Sequence, residues 1–451
     1  MKRPTGLCLI IATAIVLLSA ASSRAQESDP PKFEIGAQHS SLSVNYPEAG
    51  GGTEHSVGFG GRFTFNLNPH VAFEAEGNFF PNTIAETVSA GGRAFQGQFG
   101  VKVGKRFKRF GLFAKARPGF VSFGETEKLT RSSFTEGGVS VPDVVFGIER
   151  KTHPSLDVGG VLEFYPSRHV VTRFDIGDTI IRYRERNDFG TTEVIVPPGI
   201  SILPLVKDPA VTKHDFQFTA GVGYRFGGAD KGGTAAAHPS SGGAGVPRFE
   251  VGIQFTTLVF NPPPFVSTGE PIISFENPVN PEPGFGGRFT YNLNSHVGLE
   301  AEGNFFPRRS FPNGTSGGYP SQAQFGAKVG KRWRRVGVFA KARPGFVTFS
   351  QVTQLVGTHV VSFVIIPPNI TQQFTIGDFR NKRKTYFSTD AGGVVELYPS
   401  RRVVTRFDIG DTIIRYGDRQ EPGEFLSHNI IRIAPDTRHN LQVSAGIGWR
   451  F

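Results

Sequence analysis

The segment VVTRFDIGDTIIRY occurs twice in this chain, at 170–183 and at 403–416, without one residue changed. Its first half alternates. Val170, Thr172, Phe174 and Ile176 fall on one side of an extended strand, and Arg173 and Asp175 on the other, because successive side chains of a strand point to opposite faces. Such a strand needs an apolar environment against one face. Against the other it needs a space where an acid and a base find partners. Past Gly177 the same alternation brings Asp178 to the apolar side. Either the strand has left the apolar environment by then, or a bulge at Ile176-Gly177 resets the face.

The repeat extends far beyond this segment. GFGGRFTFNLNPHVAFEAEGNFFP (58–81) returns as GFGGRFTYNLNSHVGLEAEGNFFP (284–307), and QFGVKVGKRFKRFGLFAKARPGFVSF (98–123) as QFGAKVGKRWRRVGVFAKARPGFVTF (324–349). FQFTAGVGYRF (216–226) returns as LQVSAGIGWRF (441–451), and KFEIGAQ (32–38) as RFEVGIQ (248–254). The chain therefore divides into a first unit at 26–226 and a second at 248–451. The stretch between them, GGADKGGTAAAHPSSGGAGVP (227–247), has the composition of a flexible linker.

Period-two alternation runs through every repeated block. Phe59, Phe63, Phe65 and Leu67 oppose Gly58, Gly60, Arg62 and Thr64. Val71, Phe73, Ala75 and Phe79 oppose Glu74, Glu76 and Asn78. Eight such strands are expected per unit, near 32–43, 56–67, 70–80, 95–106, 110–123, 156–165, 169–183 and 215–226. Their connections alternate between tight turns (66–70, 104–111, 165–170) and long loops (44–55, 82–94, 124–142, 184–214). The offset between equivalent positions is 216 before the first long loop, 226 after it, 233 after the third and 225 after the fourth. Length changes thus fall only in the long set, so one rim is constrained and the other varies.

The first 25 residues read as a secretory signal. Lys2 and Arg3 precede an apolar run from Leu7 to Leu18, and Ser23-Arg24-Ala25 supplies a small-x-small site with cleavage after Ala25. The only cysteine, Cys8, lies inside it, so the mature chain has no disulfide framework and no thiol nucleophile. Cleavage takes Lys2, Arg3 and Arg24 from 49 basic residues and leaves a net charge of +8 against 38 acids. The basic residues are spread over many segments of an exported chain, which argues against nucleic acid as a partner. Mean hydropathy is only −0.18. That is compatible with a membrane barrel, whose alternating strands dilute the apolar signal.

An up-and-down barrel has one rim of short turns and one of long loops. Its lipid-facing positions are apolar, and closure satisfies the backbone without water. The fold class expected is all-β: two tandem eight-stranded antiparallel transmembrane barrels, with one sixteen-stranded barrel as the alternative. The inward positions include Gly58, Gly60, Gly100, Gly104, Gly221 and Gly223. They favour narrow lumens over a wide aqueous channel. Pro118 within the fifth strand sits uneasily, because proline cannot donate to a ladder.

The two closing strands, FTAGVGYRF and VSAGIGWRF, alternate apolar residues and end on an aromatic. With these the chain resembles the OmpA-like eight-stranded outer membrane β-barrel family, over nearly all of its mature length. The resemblance implies an outer membrane location in a Gram-negative-type bacterium, with outer membrane lipids as surroundings. It also implies that the barrel-assembly machinery recognises the terminal strand, here through Trp449 and Phe451 and, in an internal copy, Tyr224 and Phe226. No peptidoglycan-binding domain is expected behind the barrel, unlike the family archetype. The family is functionally diverse, so no activity carries over.

The inward charges Arg62, Glu74, Glu76, Lys102, Lys115, Arg117, Glu163, Arg173 and Asp175 recur as Arg288, Glu300, Glu302, Lys328, Lys341, Arg343, Glu396, Arg406 and Asp408. Paired carboxylates suit acid–base chemistry, but an ion-pair network filling a small barrel is the expected reading. The basic turns KRFKR (105–109) and KRWRR (331–335) suit a membrane interface, with Phe107 or Trp333 as anchors. No histidines have metal-ligand spacing, and no cofactor is expected. His70 and His296 recur in tight turns, and Ser295 has no counterpart at Pro69, so a lipid-modifying His/Ser enzyme is disfavoured. The expected role is structural or surface-interactive, with the long outer loops, such as VFNPPPFVSTGEPIISF (259–275), meeting any extracellular ligand. A sixteen-stranded diffusion porin for small polar solutes is the alternative.

Overall fold

The computed structural model describes residues 30–227 and 246–451, apart from 49–51, 85, 137–138, 190–193, 197–199, 203–204, 264, 267–273, 276–279, 311–313, 366–369 and 423–429. The expected signal and the body of the expected linker lie outside the described residues. Two separate barrels are present, and each closes on itself.

The first barrel comprises β1 (Phe33–Asn45), β2 (Thr53–Asn66), β3 (Val71–Ile84), β4 (Gly92–Arg106), β5 (Phe110–Glu136), β6 (Val139–Phe164), β7 (Val170–Tyr183) and β8 (Val211–Phe226). The second comprises β9 (Phe249–Phe260), β10 (Asn280–Asn292), β11 (Val297–Phe305), β12 (Ser321–Arg332), β13 (Val336–Ile365), β14 (Ile370–Leu397), β15 (Val403–Tyr416) and β16 (Asp436–Arg450). Each strand pairs antiparallel with its neighbour in sequence. The first barrel closes where β1 meets β8, with Phe33 opposite Phe226. The second closes where β9 meets β16, with Val251 opposite Trp449. The sixteen-stranded alternative therefore falls: each unit satisfies its own edges.

The alternation sorts side chains as the sequence requires. Phe59, Phe99 and Ile176 point outward, at 62%, 61% and 53% exposure, while Arg62, Lys102 and Arg173 point inward at 4% or less. Register through Ile176 and Gly177 is continuous on both sides, against β6 and β8. The bulge considered for this segment is absent, and Asp178 does face outward.

Pro118 stays within β5, opposite Leu156 of β6. On its other side the β4–β5 register runs from Gln98↔Gly119 to Val101↔Ala116 without a pairing at Pro118. The rung that proline has no N–H to make is missing there, and Pro344 of β13 has the same gap beside it.

The third long connection is not a loop, as the sequence reading had it. β5 and β6 continue as one ladder to Glu136↔Val139, with a register shift between Phe123 and Thr126. Their barrel neighbours stop sooner: β4 pairs no further than Phe123 and β7 begins at Ser155. The two strands stand above the barrel as a hairpin, on the order of 40 Å long at the usual rise per residue, steadied by Glu125 and Glu127 N–H groups donating to the Gly91 and Thr87 carbonyls and by Asn187 donating to the Leu129 carbonyl. β13 and β14 do the same to Ile365↔Ile370. The fourth long connection of the first unit contains two short hairpins, Arg186–Phe189 with Leu205–Asp208 and Val194–Val196 with Ile200–Ile202.

Candidate functional site

The lumen of each barrel is built in layers. Glu74 of β3 lies at the centre of the charged one. Arg173 of β7 donates to both its oxygens, the Nη2–Oε2 distance being 2.9 Å. Lys102 Nζ of β4 lies 3.3 Å from Oε1. Arg117 of β5 donates through Nε and Nη2 to Asp157 Oδ2 of β6, at 3.0 and 2.6 Å, and through Nη1 to Glu76 Oε2 at 2.5 Å. Arg173 Nε reaches Asp175 Oδ1 at 2.5 Å, and Lys115 Nζ lies 2.8 Å from Asp157 Oδ2. Lys102 also pairs with Glu163.

Arg62, Lys102, Lys115, Arg117 and Arg173 thus face Glu74, Glu76, Asp157, Glu163 and Asp175, all at most 5% exposed. The formal charges cancel. An uncompensated charge in so buried a place would be costly, so neutrality is what allows the layer to exist. The second barrel repeats it, with Arg406 on Glu300 and Asp408, Arg343 on Asp390 and Glu302, Lys328 on Glu396 and Lys341 on Asp390. Arg288 Nη1 donates to Gln254 Oε1 at 3.1 Å, as Arg62 does to Gln38 at 3.0 Å. The sequence-expected charges of both units are all brought into these two clusters. The members that sequence reading missed are Asp157 and Asp390. The signal was there, because Asp157 shares parity with Glu163.

Toward the short-turn rim, Glu34 of β1 sits 3.4 Å from Arg225 Nε and 3.5 Å from Arg106 Nη2. Arg225 lies over the Tyr165 ring at 4.4 Å, and Tyr165 donates to Glu163 at 2.9 Å. Arg106 and its equivalent Arg332 therefore turn into the lumen, although their turns read as wholly interfacial. Around them Lys105 lies over Phe107 and Lys331 over Trp333, at 5.7 and 5.6 Å, as an aromatic interface anchor requires.

On the other side of the charged layer lies a belt of amides. Gln38 donates to Asn78, Asn78 to Gln96, and Gln96 to Gln217, each at 2.9 Å, and Gln217 donates to Ser40 at 3.0 Å. Gln254, Asn304, Gln322 and Gln442 form the second copy. At the long-loop end the lumen turns apolar: Leu42, Val44, Phe80, Ile84, Val121, Phe123, Ile181 and Tyr183 pack as one buried cluster. Leu258, Phe260, Phe306, Val347, Phe349, Tyr386, Ile414 and Tyr416 do so in the second barrel.

The outward Asp178 is met by His214 Nδ1 at 2.6 Å, and Asp411 by His439 at 2.5 Å. Both histidine side chains are 68% exposed, so these pairs lie open where the apolar band ends. His70 and His296 sit exposed in their turns, and Ser295 Oγ lies 2.9 Å from His296 Nδ1 in the second unit alone. Among the described residues no three His, Cys, Asp or Glu side chains are grouped to hold a metal. Above the second barrel, Thr353, Gln354, Lys384, Asp418 and Arg419 line a cavity of about 270 Å³. Burial, with Arg419 nearby, holds the Lys384 ammonium below its ordinary range.

Residues 11–196 match the family model described as the outer membrane protein beta-barrel domain. No curated protein matches the chain. Similar solved structures include Neisserial surface protein A, at 12% identity and a TM-score of 0.26, covering 44% of this chain and 100% of that one. The attachment invasion locus protein Ail of Yersinia pestis shows 15% identity and a TM-score of 0.24, with 44% and 100% covered. The N-terminal barrel domain of Pseudomonas aeruginosa OprF shows 11% and 0.21, with 45% and 97% covered. The assignment rests on the family model together with two closed barrels that are apolar outside and polar within. The chain is an outer membrane β-barrel protein of the Gram-negative type, carrying the outer membrane protein beta-barrel domain in its first unit and a second eight-stranded barrel of the same architecture behind it.

Proposed function

We propose that this protein is a closed membrane scaffold whose function lies at its outer surface. The observation that carries this reading is the filled lumen. A neutral ion-pair layer, an amide belt and an apolar cluster follow one another along each barrel, and an ion would have to disrupt all three. The paired carboxylates are engaged by cations on neighbouring strands, which supports a structural rather than a catalytic role for Glu74, Glu76, Glu300 and Glu302. The long outer connections and the two tall hairpins are the surfaces available to an extracellular ligand. Outer membrane lipids surround the barrels, and the closing strands ending at Phe226 and Phe451 are the parts offered to the barrel-assembly machinery. The test is conductance of the purified full chain in planar bilayers. The expected result is no discrete channel. Stable openings would overturn the scaffold reading and favour transport of small polar solutes.

A further inference from the structure

Part of the outward surface of each barrel is not exposed. Phe174 of β7 and Ala220 of β8 belong to the lipid-facing set, yet they are only 9% and 2% exposed. They form one buried cluster with Ala445 of β16, and Phe407 and Ile447 of the second barrel pack against it. Phe174 stacks on Phe407, centroids 5.9 Å apart and planes 5° from parallel. Phe218 stacks on Phe255 of β9 at 4.0 Å. β2 and β10 also approach one another. On the strands away from this face, outward rings such as Phe99 (61%) and Phe325 (55%) stay bare.

Phe174 and Phe407 are the same position of the repeat. So are Ala220 and Ala445, and so are β2 and β10. A position that meets its own equivalent marks an isologous, two-fold interface. In a membrane, apolar faces gain nothing by leaving lipid. Lateral association there depends on close packing, for which small residues are suited. The covered faces carry them: Ala220, Ala445, Ser41 and Thr257 are all outward and at most 5% exposed. Ser41 lies opposite Phe218 in the ladder, beside the aromatic stack.

We propose that the two barrels form a fixed side-by-side pair in the bilayer, an internal pseudo-two-fold dimer joined across β1, β2, β7 and β8 of the first and β9, β10, β15 and β16 of the second. The tandem arrangement supplies the partner in cis. Both outer rims, with their hairpins, are then held at one spacing.

Because the only cysteine is Cys8, introduced thiols can be read without a background in the barrels. Phe218→Cys with Phe255→Cys is the first test pair and Phe174→Cys with Phe407→Cys the second, each in the full chain with a protease site placed in 227–247. Phe99→Cys with Phe325→Cys is the control. Outer membranes are treated with a short, membrane-permeant bis-methanethiosulfonate, which bridges thiols too distant for a direct disulfide. The linker is then cut, and assembly is checked by heat-modifiable gel mobility. The expected result is that the halves of either test pair stay joined until reduced, while the control halves separate. Assembled barrels whose halves separate in both test pairs, or join no better than the control, would overturn the proposal. If one test pair fails to assemble, the other decides.

Discussion

Arg117 and Asp157 face each other across β5 and β6, and two guanidinium nitrogens share the single oxygen Oδ2 at 3.0 and 2.6 Å. Arg343 and Asp390 reproduce the contact at the same distances. Each arginine also bridges to a glutamate on the third strand of its barrel, so it ties three strands together through one side chain.

Arg117→Ala leaves Asp157 with Lys115 as its close cation and takes from Glu76 the guanidinium that binds Oε2, with Arg62 left opposite it in the ladder. Removing one partner of a buried pair costs about 3–5 kcal/mol. The variant should unfold at clearly lower urea in detergent, read by loss of heat-modifiable mobility. Arg117→Met with Asp157→Leu, which removes both charges of the close pair, should recover part of that loss. If the single variant is as stable as the parent, the layer does not hold the barrel together.

Gly60 and Gly61 are neighbours with opposite tolerances. A Cβ on Gly60 would lie 2.1 Å from Asn78 Oδ1 and 2.2 Å from the Gly77 carbonyl oxygen, whereas one on Gly61 would meet nothing nearer than 3.7 Å. Gly60→Ala should therefore lose about 1–3 kcal/mol, in the range of overpacked sites, and Gly61→Ala should be neutral. Urea midpoints of the two variants, measured side by side, check the contrast.

The Asp178–His214 pair is open to solvent, so it should matter little to stability. Exposed ion pairs contribute about 0–1 kcal/mol. Asp178→Asn should leave the urea midpoint close to that of the parent. A large loss would show that Asp178 has a partner beyond His214.

Most of this architecture was legible because a barrel imposes period two on every strand it closes. Inward and outward sets, strand number and most of the charged layer follow from parity, and the short and long rims follow from the lengths of the connections. Parity says nothing about what lies beyond the barrel. Residues 124–136 and 139–150 keep strand geometry beyond the ladders of β4 and β7, so they read as loop, although β5 and β6 simply continue. The apolar cluster was hidden for a different reason: Leu42, Phe80 and Phe123 sit inward, where polar residues are expected, and only their position at the end of the lumen makes them a closure. The burial of Phe174 could not be read at all, because an outward phenylalanine looks the same against lipid as against another barrel.

Phe80 and Phe123, both 0% exposed, lie in the apolar closure of the first barrel, and replacing them tests whether that closure alone keeps ions out. Buried Phe→Ala changes cost about 3–5 kcal/mol each, so each variant should be destabilised and the double variant more so. Conductance should nonetheless stay absent. Gln38, Asn78, Gln96 and Gln217 still span the lumen beneath the lost rings, and the paired charges of Arg117, Arg173, Glu74 and Asp157 lie beneath those. Opening a path would require clearing a layer whose members hold one another in place, and that is a larger change than two side chains. Discrete channel events from a folded Phe80→Ala/Phe123→Ala barrel would show instead that the apolar cluster is the only seal and that the layers below it are permeable.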